Sequence, residues 1–135
     1  MLIARILIGL VFLVNTQCAL VFLFNPSPYM VGFGLEGIVG EQIVRALGLL
    51  FMMWNVPYAF ALANPEKHRI SLIEAVIMQA IGLVGETSIL LIGGPYPSPI
   101  ESTLIRFILF DGIGLVFLII AFGFTGKKNL PTSAR

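Results

Sequence analysis

Long apolar runs separated by short polar interruptions make up this chain. Four runs stand out, Leu2–Phe24, Gln42–Ala63, Ile70–Ile92 and Ser102–Phe124, each of 22 or 23 residues. About 20 apolar residues cross a bilayer core of ~30 Å as a helix, so each run predicts one transmembrane span. No period-two alternation marks a strand, and a membrane barrel cannot close with so few segments. The pattern predicts an all-α integral membrane protein, a four-transmembrane-helix bundle forming one domain over residues 1–135.

The first run also has the look of a secretory signal, with Arg5 ahead of the apolar stretch and Asn15-Thr16-Gln17-Cys18 in a cleavage-like position. No small-x-small site stands there, and the apolar run resumes through Ala19–Phe24, so the segment reads as an uncleaved span. Punctuation supports the other boundaries. Asn64-Pro65 stops the second span and Gly93-Gly94-Pro95 the third. Ser71-Leu72-Ile73-Glu74 is a capping-box pattern that opens the third. Pro57 predicts a kink inside the second. Ile8-Gly9-Leu10-Val11 recurs as Ile81-Gly82-Leu83-Val84. Glu41 and Arg45 ahead of Gly48-Leu49-Leu50-Phe51 are echoed by Glu101 and Arg106 ahead of Gly114-Leu115-Val116-Phe117. Either this is a 2+2 pseudo-repeat about an axis along the membrane normal, or it reflects the small alphabet of any apolar helix.

Charge orients the bundle. The first connection, Asn25–Glu41, and the third, Gly93–Glu101, contain no Lys or Arg. The second carries Lys67, His68 and Arg69, the tail carries Lys127, Lys128 and Arg135, and Arg5 sits at the N-terminal edge. Cationic flanks stay cytoplasmic, which predicts both termini inside.

Composition then removes whole function classes. Hydrophobic residues make up 58% of the chain and charged residues 11%, with a mean hydropathy of +0.99. Soluble domains carry about twice that charged fraction. A net charge of +1 supplies no field for nucleic acid. One cysteine and one histidine exclude a disulfide framework, a Cys/His metal site and a bis-histidine haem. His68 falls on the opposite side from the membrane acids, which excludes a Ser/His/Asp or Cys/His device, and no P-loop or dinucleotide fingerprint is present. The balance leans away from an enzyme, with no metal and no required cofactor.

The remaining chemistry is polar residues within the spans. At ~1.5 Å rise per residue, Arg45 and Arg106 lie about 5–6 Å below the outer ends of their helices, Glu86 about 9 Å and Asp111 about 14 Å. Asn15 and Gln17 reach similar depths, so all four spans contribute to one layer. Two acids matched by two bases offset much of the cost of membrane burial if they pair. This cluster of Arg45, Glu86, Arg106, Asp111, Asn15 and Gln17 is either a neutral structural plug or a binding or proton site open to the outer face. Arg45 has the further option of an i,i+4 pair with Glu41. A second rung, Asn55 and Gln79, reads as an interhelical hydrogen bond. Cys18, Trp54, Tyr29, Tyr58, Tyr96 and Met52-Met53 read as packing or interface residues, and His68 as a headgroup contact. The apolar first connection reads as a cap over the polar layer, serving as a lid or a partner-docking surface.

The opening Ala4-Arg5-Ile6-Leu7-Ile8-Gly9-Leu10-Val11-Phe12-Leu13, in a short four-span chain, resembles the DoxX-like membrane proteins, whose first helix often opens with an Arg, a Leu-Gly step and an apolar run. The resemblance implies a bacterial inner-membrane protein, sometimes associated with quinone-linked sulfur or redox chemistry, and carries over no catalytic residue. Three function classes follow. The first is an accessory or assembly subunit of a membrane complex, joined to a partner membrane protein or to its own copies. The second is a small ion- or proton-coupled transporter using Glu86 or Asp111. The third is a quinone- or lipid-binding protein with Arg45 and Arg106 as donors. The shortage of polar groups favours the first.

Overall fold

A computed structural model of the chain describes residues 1–125. The elements are α1 (Leu2–Phe24), the short α2 (Ser27–Met30) followed by a 3-10 turn at Val31–Phe33, α3 (Gly37–Ala63), α4 (Arg69–Gly93) and α5 (Ser98–Thr125). Helices α1, α3, α4 and α5 are the four spans, each long and apolar enough to cross a membrane. Lys127, Lys128 and Arg135, counted above among the cytoplasmic cations, lie outside the described residues.

Several boundaries differ from the hydropathy reading. α3 begins at Gly37 rather than Gln42, and α5 at Ser98 rather than Ser102. Hydropathy marks where lipid ends, but backbone hydrogen bonds continue into the polar flank. Gly37 turns the chain at a φ of 64°, and Pro99 sits in the first turn of α5, where its missing N–H costs no bond. The Ser71–Glu74 capping box does not form: α4 starts at Arg69, with His68 at the N-cap and no side-chain cap. Asn64 Oδ1 accepts the Lys67 N–H at 3.1 Å and tightens the turn ahead of that pattern. α3 runs on through Pro57 as one helix.

The helices form two antiparallel pairs, α1 with α3 and α4 with α5. These close into a ring through α1–α5 and α3–α4 contacts. Each span turns one stripe inward at spacings of three and four, the pattern of left-handed helix packing. On α1 the stripe is Ala4, Ile8, Val11, Asn15, Ala19 and Phe22; on α3 it is Val44, Gly48, Phe51, Asn55, Tyr58 and Ala61. On α4 it is Leu72, Ala75, Gln79, Gly82 and Glu86; on α5 it is Thr103, Phe107, Asp111, Gly114, Leu118, Ala121 and Thr125. Ala4, Ile8, Ala61, Leu72, Ala75, Leu118 and Ala121 are fully buried at the end that holds the N-terminus. Small residues let backbones approach there, which is how helices associate where lipid is as apolar as leucine. The outward faces stay apolar, with Leu2, Val39, Ile70, Ile81 and Leu91 all exposed.

Arginines close the helix ends. Arg5 near the start of α1 donates to the Ala63 carbonyl at the end of α3 (2.6 Å), and Arg45 of α3 donates to Leu23 O near the end of α1 (3.4 Å). Arg69 at the start of α4 donates to Thr125 O at the end of α5 (3.3 Å) and lies 4.3 Å over the Phe122 ring. Each guanidinium meets a carbonyl without an intrahelical partner at the negative end of a helix dipole. Arg106 does not complete the set. It bonds within its own helix, to Ser102 O and Thr103 Oγ1.

The first connection folds back over the opposite end, called distal here. Ser27 Oγ donates to Glu41 Oε1 at 2.9 Å, and Gly32 packs on the Thr103 hydroxyl, leaving no room for a Cβ. Phe33 meets Phe22 edge-on at 5.7 Å between ring centroids, and Phe51 contacts Phe22, Trp54 and Phe107. This aromatic layer closes the distal half of the bundle.

Candidate functional site

Polar side chains on the inward stripes meet between the alanine-rich end and the aromatic layer. Tyr58 of α3 donates its hydroxyl to Gln79 Oε1 of α4 at 2.6 Å, with Ala75 O also near at 3.3 Å. Gln79 Nε2 in turn donates to Asp111 Oδ1 of α5 at 2.7 Å. Asn15 of α1 faces the Tyr58 hydroxyl. One hydrogen-bonded chain therefore joins α3, α4 and α5, with Asn15 on the inward stripe of α1.

Two glycines make this geometry possible. The Asp111 carboxylate rests on Gly82 of α4, in the space a Cβ would take. The Gln79 amide crosses Gly114 of α5, its Nε2 2.6 Å from where a Cβ would stand. Glu86 lies one helical turn distal to Gly82, the glycine that carries the Asp111 carboxylate, on the same stripe. Its Oε2 is buried without a hydrogen-bond partner. Asn55 is only 3% exposed, and neither its Oδ1 nor its Nδ2 has a partner.

Several residues expected in one paired layer are not together. Among the described residues, neither Arg45 nor Arg106 pairs with Glu86 or Asp111; Arg45 reaches Glu41 at 3.9 Å, and the bonds of Arg106 stay within α5. Gln17 is exposed on the outside of the bundle. The cause is azimuth rather than depth. Each residue advances about 100° around a helix. Arg45 follows the inward Val44 and Arg106 precedes the inward Phe107, so both turn away from the acids. Likewise Asn55 and Gln79 do not bond to each other, because Gln79 is already engaged by Tyr58 and Asp111. Tyr58, read above as a packing residue, is the bridging member of the chain. Its signal was present in the sequence, since it lies three residues from Asn55 on the same face.

An apolar groove of about 570 Å³ runs along the lipid-facing side of α4 and α5, past Leu83, Gly112 and Val116. Neither Arg45 nor Arg106 lines it, so the two donors foreseen for a quinone or lipid headgroup are not beside it.

Fold and interior together define a class, a small multi-pass membrane protein whose bundle holds two acids without a cationic partner among the described residues. No family model, curated protein or solved structure matches the chain.

Proposed function

We propose that this protein is a small ion- or proton-coupled membrane transporter in which Glu86 and Asp111 are the coupling carboxylates. One observation carries the proposal: Asp111 rests on Gly82, Glu86 follows one turn further along the same inward stripe of α4, and neither acid has a cationic partner among the described residues. A permanently ionised, unpaired carboxylate in a membrane interior costs at least ~2.5 kcal/mol, and two neighbouring ones cost more. Such a pair is retained most economically by exchanging a proton or cation. The salt bridges expected of a paired structural plug, from Arg45 and Arg106 to Glu86 and Asp111, are not made among the described residues. The orientation belongs to the same proposal, with the Arg5, Lys67 and Arg69 end in the cytoplasm, as do the bacterial inner membrane and the DoxX-like affiliation.

Dicyclohexylcarbodiimide, an apolar reagent for protonated carboxyls, tests it on the purified protein in lipid. Modification should map to Glu86 or Asp111 and vanish in the Glu86→Gln/Asp111→Asn double variant. Wild-type protein left unmodified at both positions would sink the proposal.

A further inference from the structure

Gln17 stands on the wrong side of α1 for a residue of the polar interior. We infer that the outward stripe of α1 is an interface with a second copy of this chain, packed α1 against α1 with the two Gln17 amides hydrogen-bonded to each other. The stripe is Ile6, Leu10, Leu13, Gln17, Leu20 and Phe24, all exposed and all opposite the buried Ala4, Ile8, Val11 and Ala19. Its spacings alternate four and three, the seam of a left-handed helix pair. Apolar surface at that spacing would suit lipid as well as protein. Gln17 decides between them.

Gln17 lies seven positions before Phe24, the last residue of α1, about 10 Å into the span at ~1.5 Å rise. Lipid tails offer no donor or acceptor at that depth, so an amide turned outward there loses its hydrogen bonds, and a leucine would avoid the loss. An amide carries both donor and acceptor, and two of them face to face satisfy one another. Symmetry brings them to the same depth. Every copy inserts with the same end in the cytoplasm, so a two-fold axis along the membrane normal sets two α1 helices parallel and in register. Each stripe residue then meets its own counterpart. A different protein would need a polar group at the matching depth and azimuth, whereas a second copy has one by construction. A single polar residue in an apolar seam fixes register and partner number in helix pairs of this kind. The α4–α5 groove presents Leu83, Gly112 and Val116 without a polar side chain and carries no such preference.

Two measurements on the full chain test the interface. In membranes, single cysteines on a Cys18→Ser background are oxidised with copper phenanthroline. Leu13→Cys and Leu20→Cys should yield a disulfide-linked dimer, whereas Ile81→Cys and Ile113→Cys, exposed on α4 and α5, should not. In phosphatidylcholine vesicles, energy transfer between Lys67→Cys copies carrying donor and acceptor dyes reports association as the protein-to-lipid ratio is lowered. Gln17→Leu should dissociate at a ratio roughly threefold to thirtyfold higher than the parent, the range for one interhelical hydrogen bond in a membrane. A chain that stays monomeric overturns the inference. So does a complex formed solely with a different protein, cross-linking at Ile81 or Ile113 as strong as on α1, or an unchanged ratio for Gln17→Leu.

Discussion

Gln79 and Asp111 are joined by a 2.7 Å hydrogen bond, and each lies across a glycine of the other's helix. Gln79 with Gly82 on α4 faces Asp111 with Gly114 on α5, a reciprocal arrangement that two antiparallel stripes of equal spacing produce. Neither side chain could lie flat in the seam if the opposite helix carried a Cβ there.

Gly82→Ala is therefore expected to be costly. The new methyl would collide with the Asp111 carboxylate, which Gln79 holds in place. Overpacking of this kind costs ~1–3 kcal/mol. Gly85→Ala, where a Cβ would meet nothing within 4 Å, serves as the control. Thermal melts of the two proteins should differ by several degrees, and equal melts would mean the seam is looser than described.

Tyr58→Phe keeps the ring and removes the hydroxyl that engages Gln79 Oε1. Interhelical hydrogen bonds in membranes are worth about 0.6 kcal/mol on average and up to ~1.7. A loss within that range is expected. A Tyr58→Phe/Gln79→Leu double variant should lose less than the sum of the singles, the mark of coupled residues. Strict additivity would separate them.

The arginines should sort by partner rather than by depth. Arg5→Gln removes the 2.6 Å bond to the end of α3, whereas Arg106→Gln removes only bonds within α5. A helix-end charge contributes ~0.3–1 kcal/mol near a surface and up to ~2 when partly buried. Lower melting for Arg5→Gln than for Arg106→Gln is the expected order, and the reverse order contradicts it.

Glu86→Gln separates a paired layer from an unpaired one. Loss of one partner from a truly buried ion pair costs ~3–5 kcal/mol. Among the described residues Glu86 has no arginine partner, so the variant should melt at or above the wild-type temperature. A large fall, recovered by neutralising Arg45 or Arg106, would restore the salt bridges that the structure does not contain.

Orientation is checked by single cysteines on a Cys18→Ser background. Cysteines at Ser27 and Ser98, in cation-free segments at the distal end, should react with an impermeant maleimide on intact cells. One at Lys67 should react only after permeabilisation. The opposite pattern would invert the bundle.

Much of this architecture was legible in the residue pattern. Spans announce themselves by length and apolarity, and the first and last residues of α1 fall where the hydropathy places them. Asp111, Gln79 and Glu86 were visible as polar residues at membrane depth. Partnership was not, because depth is only one of two coordinates on a helix. Counting threes and fours from Ala4, Leu72 or Leu118 puts Asn15, Gln79 and Asp111 inward, and the same count from Val44 turns Arg45 away. The direction of Gln79 toward Tyr58 and Asp111, rather than toward Asn55, depends on how the α3–α4 and α4–α5 interfaces set the heights of neighbouring helices. No single span encodes that offset.

The arginine contacts have a mechanical consequence. The α1–α3 hairpin is fastened at both ends, by Arg5 to Ala63 and by Arg45 to Leu23. Among the described residues, the arginine contact of the α4–α5 hairpin is that of Arg69 with Thr125; at the other end the connection 94–97 joins the helices, Tyr96 of that connection turns back to Ile89 of α4, and Arg106 stays on α5. The distal ends of both hairpins are joined by chain, through the connections 25–36 and 94–97, so an arginine holds each pair at the end where no chain does, Arg5 for α1 and α3 and Arg69 for α4 and α5. Among the described residues, separating either pair at that open end breaks one arginine contact, and loosening α1 from α3 at the distal end breaks a second, Arg45 to Leu23.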